Sequence, residues 1–239
     1  MLDIEPLKPE MLEHARNASP AEACGLIAIV KGRQRYYPCK NLSSGLNHFI
    51  LDPQDYARVE SMGEVVGVFH SHPKTAANPS QADKISCETT KLCWVICNPD
   101  LETWVQIKPS GYQAPLVGRE YSYGVLNCVQ LLRDWYKLEY DLTFPYVCPP
   151  TNPALWESNP SLYSDLVGFG FKEVDKNSIR YGDILLMCIG TSQKPNHGAV
   201  YIGDNQILHH LSGRLSSRDI YNDYWQRVTH SALRYYDNA

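Results

Sequence analysis

Two histidines and an aspartate lie within one short stretch whose residue types suit a metal site. His70 and His72 follow an apolar run at residues 65–69 that predicts a β-strand. Residues two apart in a strand project from the same face, so both imidazoles are expected to point the same way. With the carboxylate of Asp83 they would supply three protein ligands and leave a fourth position for water, as in catalytic zinc sites.

The same stretch has a simpler interpretation that needs no metal. Ser80 and Asp83 have the spacing of a capping box, which would begin a helix over residues 80–91. The two interpretations are compatible, because one carboxylate can cap a helix and bind a metal ion. Two histidines, a serine and an aspartate within fourteen residues, with prolines in the intervening loop, favour a site here.

Alternating strands and helices in the first half of the chain must position these residues. The pattern predicts a mixed α/β domain over residues 1–108, followed by a linker with prolines and glycines over 109–118. The predicted elements are a helix at 9–17, a hairpin over 25–38, a strand from 49 to 51, a helix at 52–62, and strands at 92–97 and 103–107.

The second half, residues 119–239, is predicted to be an α+β domain, because one helix precedes several strands. Residues 140–159 are rich in proline and aromatic residues and are predicted to be irregular. The predicted elements are helices at 124–138 and 161–167, and strands at 171–174, 184–188, 197–202 and 206–211.

Length and composition restrict the kinds of protein to which this chain can belong. A length of 239 residues suits two domains, each with its own core. The net charge of -4, without a basic cluster, argues against binding of nucleic acid. The sequence shows neither a secretion signal nor an apolar run of about 20 residues, so we expect a protein made in the cytoplasm without stable membrane insertion. The eight cysteines form no C-x-x-C pair and are expected to be mostly buried thiols.

Cys128 and His197 are the residues of the second half that could perform nucleophilic catalysis. Cys128 lies near the start of a predicted helix, where free backbone amides favour a thiolate. It could equally be a small core residue. His197 begins a predicted strand and is followed by Gly198 and Ala199, which are small enough to let a thiolate approach its ring.

The hairpin after His197 decides which histidine can be its partner. A two-residue turn would pair Ala199 with His210 and put His210 on the face of His197. A three-residue loop would instead pair Tyr201 with His209 and put His209 on that face. The residues themselves leave both registers open.

The first half resembles the JAMM metallopeptidases, which cleave amide and isopeptide bonds. The matching motifs are Glu22 in Pro-Ala-Glu-Ala-Cys-Gly-Leu, His70-Ser-His72-Pro, and Pro-Ser80-Gln-Ala-Asp83. The resemblance implies a JAMM-type α/β sandwich, a mixed sheet flanked by helices, with Zn²⁺ on His70, His72 and Asp83. It also implies Glu22 as general base and Ser80 as the residue that holds the water and the oxyanion. From the residues alone, Glu22 is one of several upstream acids.

The second half is similar to the NlpC-like cysteine peptidases of bacterial cell walls, which have a papain-like α+β fold. The resemblance rests on the segment from Tyr121 through Cys128, on Tyr-Gly-Asp-Ile-Leu at 181–185, and on His197-Gly-Ala-Val-Tyr-Ile-Gly with His209 downstream. It implies Cys128 as nucleophile, His197 as base and His209 as the third residue. It therefore implies an odd-length loop or a bulge in the hairpin.

Tyr121 matches the tyrosine that lies near the oxyanion site in these peptidases, and Tyr123 is the second choice. Asn127 and Val129 depart from the Asp and Ser that usually flank the nucleophile, which affects its fine positioning. The other histidines are assigned to surface or core positions: His14, His48, His210 and His230.

A JAMM domain followed by an NlpC-like domain resembles a family of phage tail-tip proteins. This implies a hydrolase that cleaves stem-peptide amide bonds of peptidoglycan, with the D-glutamyl-diaminopimelate bond expected, during cell-wall penetration or tail assembly. The implied partners are peptidoglycan stem peptides and other tail-tip proteins, and the implied location is the host cytoplasm, then the virion tail tip. A structural tail-tip adaptor with little activity and a cellular isopeptidase acting on ubiquitin-like tags are the alternatives.

Overall fold

The chain divides into two compact units. A computed structural model describes residues 2–144 and 166–236, and its contacts separate Met1–Gln113 from Ala114–Ala239. The predicted two-domain organisation is confirmed. The predicted helix at 161–167 and the predicted irregular segment at 140–159 lie mostly outside the described residues. No helix within the described ranges is long and apolar enough to cross a membrane.

The first unit contains a five-stranded mixed sheet with the order β2-β1-β3-β4-β5. Strands β3 and β4 are parallel, and all the other neighbours are antiparallel. This confirms the α/β prediction. The elements are α1 (Lys8–Ala18), β1 (Cys24–Val30), β2 (Arg33–Cys39), α2 (Pro53–Glu60), β3 (Glu64–Ser71), α3 (Gln81–Thr90), β4 (Cys93–Asn98) and β5 (Thr103–Ile107).

Helices cover both faces of this sheet, because its strands carry apolar side chains in both directions. On one face Ile27 packs with Met11 of α1 in a buried cluster. On the other face Val68 packs with Val59 of α2 and Cys87 of α3. Since side chains alternate along a strand, His70 lies on the same face as Val68, two positions earlier. Strand β3 therefore presents the side chain of His70 to α3.

The strand predicted at residues 49–51 is wrong. Leu51 makes a single bridge to Asn41, and no further ladder forms there. The side chain of Asn41 accepts a hydrogen bond from the backbone N–H of Ile50 at 3.0 Å, which removes a donor that a strand would need. Phe49 instead packs its ring against Trp94, with ring centroids 5.7 Å apart.

The second unit contains a six-stranded antiparallel sheet with the order β10-β9-β8-β7-β11-β6, which confirms the α+β prediction. The last two strands and the helix between them were not predicted, and β11 lies inside the sheet between β7 and β6. The elements are α4 (Cys128–Tyr140), β6 (Phe171–Val174), β7 (Ile184–Met187), β8 (His197–Tyr201), β9 (Gln206–His209), β10 (Ser217–Ile220), α5 (Asp223–Val228) and β11 (Thr229–Tyr235).

Helix α4 begins at Cys128 and not at Gly124 as predicted. Gly124 has a φ of +78°, which a helix does not contain. Asn127 is the N-cap, and its side chain accepts a hydrogen bond from the backbone N–H of Gln130 at 3.0 Å. The cap places Cys128 at the first helical position, where backbone N–H groups have no partner within the helix.

Candidate functional site

The three predicted metal ligands meet at the end of β3. The Nε2 atoms of His70 and His72 are 3.0 Å apart, and those nitrogens lie 3.2 and 3.5 Å from the two carboxylate oxygens of Asp83. All three residues are buried. Zinc-to-nitrogen bonds of about 2.0–2.1 Å place neighbouring ligands of a tetrahedron about 3.3 Å apart. The donor types and their spacing therefore fit a zinc ion.

Asp83 also caps helix α3, so the capping-box interpretation is confirmed, and the same carboxylate remains a predicted metal ligand. The hydroxyl of Ser80 accepts a hydrogen bond from the backbone N–H of Asp83 at 3.1 Å, and the Oδ2 of Asp83 accepts one from the backbone N–H of Ser80 at 2.7 Å. The Ser80 hydroxyl donates to the same oxygen at 2.8 Å. The cap holds the carboxylate in one orientation, with Oδ1 directed at His70.

The charges of the cluster favour an ionised carboxylate beside basic nitrogens. Burial alone would raise the pKa of Asp83, but the contacts with His70 and His72 hold it below its usual range. Burial lowers the pKa of His70. Burial also acts to lower the pKa of His72, but the Asp83 carboxylate outweighs this and the net shift is upward.

Two contacts outside the ligand set orient His72. Its Nδ1 lies 3.1 Å from the carbonyl oxygen of Ala76, which can only accept, so Nδ1 carries the proton and Nε2 keeps its lone pair for the cluster. The buried side chain of Asn98 donates to the carbonyls of His72 and Thr75 at 3.0 and 2.8 Å. The sequence interpretation missed Asn98, because its partners are more than twenty positions away and no local pattern marks them.

Glu22 lies in the electrostatic field of this cluster. Its side chain is buried two residues before β1, and burial raises its pKa to about 7. The charge of His72 opposes that shift, and the charge of Asp83 adds to it. A carboxyl group that titrates near neutral pH can both accept and release a proton under physiological conditions.

In the second unit, the β8–β9 hairpin brings His209 to the face of His197. The loop contains three residues, 203–205, all with positive φ, and Ala199 pairs with His209. The odd loop length is confirmed, but the predicted pairing of Tyr201 with His209 is wrong. The loop begins one residue earlier than expected, because Gly203 adopts its left-handed conformation at φ +82°. The Nε2 of His197 and the Nδ1 of His209 are 3.1 Å apart.

His210 points away from this pair and packs against Tyr121, with ring centroids 5.1 Å apart at 75°. Burial, followed by the charge of Arg119, lowers the pKa of His210 to about 4. The alternative in which His210 shares the face of His197 is therefore wrong.

Cys128 and Tyr121 lie near one another on the α4 side of the sheet. Burial, followed by the charge of Cys128, raises the pKa of the Tyr121 phenol. Along β8, Val200 packs into the buried cluster that contains Cys128, and Ala199 packs into the cluster that contains Trp225. The structure joins His197 directly to His209, and it relates Cys128 to them through the packing of α4 on β8.

The two unusual neighbours of Cys128 have structural explanations. Asn127 is fully buried and caps α4, a position that Asn occupies as well as Asp does. Val129 is buried in the core beneath the helix. A further residue that the sequence interpretation missed is Trp225 of α5, whose ring lies 4.6 Å from that of His209 and covers it.

Comparison with known proteins agrees with the two folds. The family model described as prokaryotic homologs of the JAB domain matches residues 5–107, and the model of the NlpC/P60 family matches residues 118–234. Both are families of the peptidase type. The chain is therefore a two-domain protein with a JAB-like unit followed by an NlpC/P60-like unit.

Relatives that match most of the chain identify the family more closely. The chain is 34% identical to tail tip assembly protein K of Escherichia phage N15, over 95% of this chain and 93% of that protein. It is also 34% identical to tail tip assembly protein K of Escherichia phage lambda, over 77% of this chain and 89% of that protein. The chain belongs to the tail tip assembly protein K family.

A solved structure is also similar to part of this chain. The solution structure of a protein from Desulfitobacterium hafniense matches with 34% identity and a TM-score of 0.37, covering 43% of this chain and 77% of that chain.

Proposed function

We propose that this chain is a phage tail-tip hydrolase with two peptidase centres. Its C-terminal unit would cleave stem-peptide amide bonds of peptidoglycan, with the D-glutamyl-diaminopimelate bond as the expected one, during cell-wall penetration or tail assembly. Its N-terminal unit would be a zinc metallopeptidase. The observation that carries the proposal is the contact between His197 and His209, because an odd-length hairpin loop is required to form it. Membership of the tail tip assembly protein K family supports the setting.

In the C-terminal unit, the Cys128 thiol would transfer its proton to His197, and the sulfur would attack the carbonyl carbon of the scissile amide. His197 would return that proton to the leaving amine as the C–N bond breaks. Water would then hydrolyse the acyl-enzyme, with His197 accepting a proton from the water and the thiol released at the end. His209 would orient His197, and Tyr121 would lie beside the oxyanion.

In the N-terminal unit, His70, His72 and Asp83 would hold Zn²⁺ through Nε2, Nε2 and a carboxylate oxygen. A zinc ion there would supply a Lewis acid that polarises a peptide carbonyl and acidifies water. Glu22 would accept a proton from water and deliver it to the leaving amine, for which a pKa of about 7 is suited. Ser80 would hold the water and the oxyanion from its position at the cap.

The proposed partners are peptidoglycan stem peptides and other tail-tip proteins. The names of the two phage relatives support only the tail-tip proteins. The proposed location is the host cytoplasm during assembly and the virion tail tip afterwards.

Digestion of purified peptidoglycan tests the C-terminal activity. Wild-type protein is expected to release fragments that mass spectrometry identifies as stem-peptide cleavage products, and Cys128→Ala should abolish them. Cys188→Ala is the matched control, because Cys188 is a half-buried thiol of the same unit outside the proposed site. Fragment release that persists in Cys128→Ala would overturn the cysteine assignment. Absence of release by wild-type protein would favour the adaptor.

Metal analysis tests the N-terminal site independently. The purified chain is expected to carry stoichiometric zinc, and the combined His70→Ala and Asp83→Ala replacement should remove it. His48→Ala is the control, because His48 is exposed and lies outside the ligand group. Full zinc retention in the double variant would contradict the assignment of the ligands.

A further inference from the structure

Asp219 extends the histidine pair across a third strand. Strands β8, β9 and β10 are neighbours, and each contributes one side chain on the same face: His197, His209 and Asp219. The Nε2 of His197 is 3.1 Å from the Nδ1 of His209, and the Nε2 of His209 is 3.2 Å from the Oδ2 of Asp219. The register supports this row, because Ser217, two residues before Asp219, pairs with His209.

The Asp219 carboxylate is held in place and ionised. Its Oδ1 accepts a hydrogen bond from the Ser217 hydroxyl at 2.8 Å, and Arg214 lies 3.5 Å from its Oδ2. Burial alone would raise the pKa of Asp219, but the contacts with Ser217, His209 and Arg214 hold it below its usual range. Besides burial, the pKa of His209 responds to the charges of Asp219 and Arg214, and the pKa of His197 responds to those of His209 and His210.

The Asp219 carboxylate is the acceptor group next to the Nε2 of His209. The ring is buried, and the 3.2 Å approach of Asp219 to Nε2 is an ion-pair contact without the alignment of a full hydrogen bond. No other acceptor bonds this nitrogen among the described residues. Trp225 covers the ring of His209 at 4.6 Å. A negative charge this close favours a proton on Nε2, because an ionised carboxylate can only accept.

The proton on Nε2 of His209 determines which ring nitrogen of His197 is protonated. A neutral imidazole carries a single N–H, so a proton on Nε2 of His209 leaves its Nδ1 as an acceptor. The Nε2 of His197 must then donate to that atom, because two lone pairs cannot share the 3.1 Å contact. His197 is consequently left with an unprotonated Nδ1 as its only basic nitrogen.

We propose that Asp219 is a positioning residue that selects the Nε2–H tautomer of His209 and thereby keeps the Nδ1 of His197 available as the base for Cys128. This inference rests on the proposed cysteine-peptidase function. In the step concerned, the S–H bond of Cys128 breaks and its proton forms an N–H bond at Nδ1 of His197. The products are a thiolate and an imidazolium whose other proton, on Nε2, remains hydrogen-bonded to His209.

Nitrogen NMR of the labelled full-length chain tests the tautomer directly. The wild-type protein should show His209 protonated at Nε2 and His197 protonated at the same atom. In Asp219→Asn the amide can donate to His209, so the Nδ1–H tautomer of His209 should appear. Asp204→Asn is the charge-matched control, because Asp204 is an exposed loop residue at φ +48°, a conformation that Asn accepts. An Nδ1–H tautomer of His209 in the wild type would overturn the inference.

Alkylation of Cys128 by iodoacetamide as a function of pH separates this inference from the proposed function. Asp219→Asn should slow alkylation at neutral pH by at least about tenfold, as loss of an orienting carboxylate does in related triads. Asp204→Asn should leave the rate unchanged. If His197→Gln slows alkylation but Asp219→Asn does not, the role of Asp219 is refuted and the proposed function stands. If neither variant has an effect, the proposed Cys128 site itself fails.

Discussion

Arg119 should be the most sensitive charged residue of the C-terminal unit to conservative replacement. Its guanidinium is fully buried and donates three hydrogen bonds. Nε donates to the carbonyl of Pro115 at 2.8 Å, Nη2 to the carbonyl of Ala114 at 2.9 Å, and Nη1 to the carboxylate of Asp134 at 2.6 Å. The side chain thereby ties the segment before Tyr121 to helix α4, which begins at the proposed nucleophile.

The size of the effect follows from counting these bonds. In Arg119→Lys a single ammonium can keep the ion pair but not both carbonyl contacts, and two lost bonds at about 1–1.5 kcal/mol each give roughly 2–3 kcal/mol. Arg119→Met should cost more, about 3–5 kcal/mol, because it breaks the pair entirely. Asp134→Asn should cost less, about 1–2 kcal/mol, because the side chain of Asp134 is 34% exposed and the guanidinium keeps its two carbonyl acceptors.

Urea unfolding followed by tryptophan fluorescence measures these free energies, with the transition of each unit fitted separately. Arg58→Lys is the matched control, because Arg58 pairs with Asp55 at 2.9 Å but its side chain is 44% exposed. It should change the free energy of unfolding by less than about 0.5 kcal/mol. The reasoning would be refuted if Arg119→Lys were as mild as this control, or if Asp134→Asn were as costly as Arg119→Met.

Three further outcomes are expected. Ser80→Ala should lower the free energy of unfolding by about 1 kcal/mol through loss of the helix cap but should retain zinc. Asp83→Asn should keep the cap but lose zinc. Calorimetry measures the change in stability, and metal analysis measures the zinc content. Because burial lowers the pKa of His197 to about 3, the unfolded chain binds a proton that the folded chain excludes. Stability should therefore fall from about pH 6.5 towards pH 3, by up to about 1.4 kcal/mol per pH unit; a flat urea midpoint over this range would contradict it. Deleting Asn205 should shift β9 by one residue and remove His209 from His197, which the loss of their ring-to-ring nuclear Overhauser effects would reveal.

The grouping of His70, His72 and Asp83 was predictable because most of its determinants are local. His70 and His72 are separated by one residue at a strand end, and Asp83 lies one turn into a helix whose start is marked by a cap. The strand period and the cap geometry are properties of short segments, so they act similarly in any fold. Glu22 was different, because it precedes another strand and only sheet pairing brings it near the cluster.

Short apolar segments were the less predictable part of the fold. Residues 49–51 have the composition of a strand, but the side chain of Asn41 binds the backbone donor of Ile50 and limits the pairing to one bridge. Strand β11 was not predicted, although it lies between β7 and β6. Its place depends on two partners that are distant in sequence, which no local periodicity reports.

The sequence by itself determined the two-domain organisation and the residue types of both sites. These follow from chain length and from motif spacing over a few residues. Only the tertiary structure decided that His209 and not His210 faces His197, that Asp219 completes the row, and that Arg119 is buried. The first two depend on the register of paired strands, where a shift of one residue reverses the face of every side chain. The burial of Arg119 accompanies its contact with Asp134 of α4, fifteen positions away in the sequence.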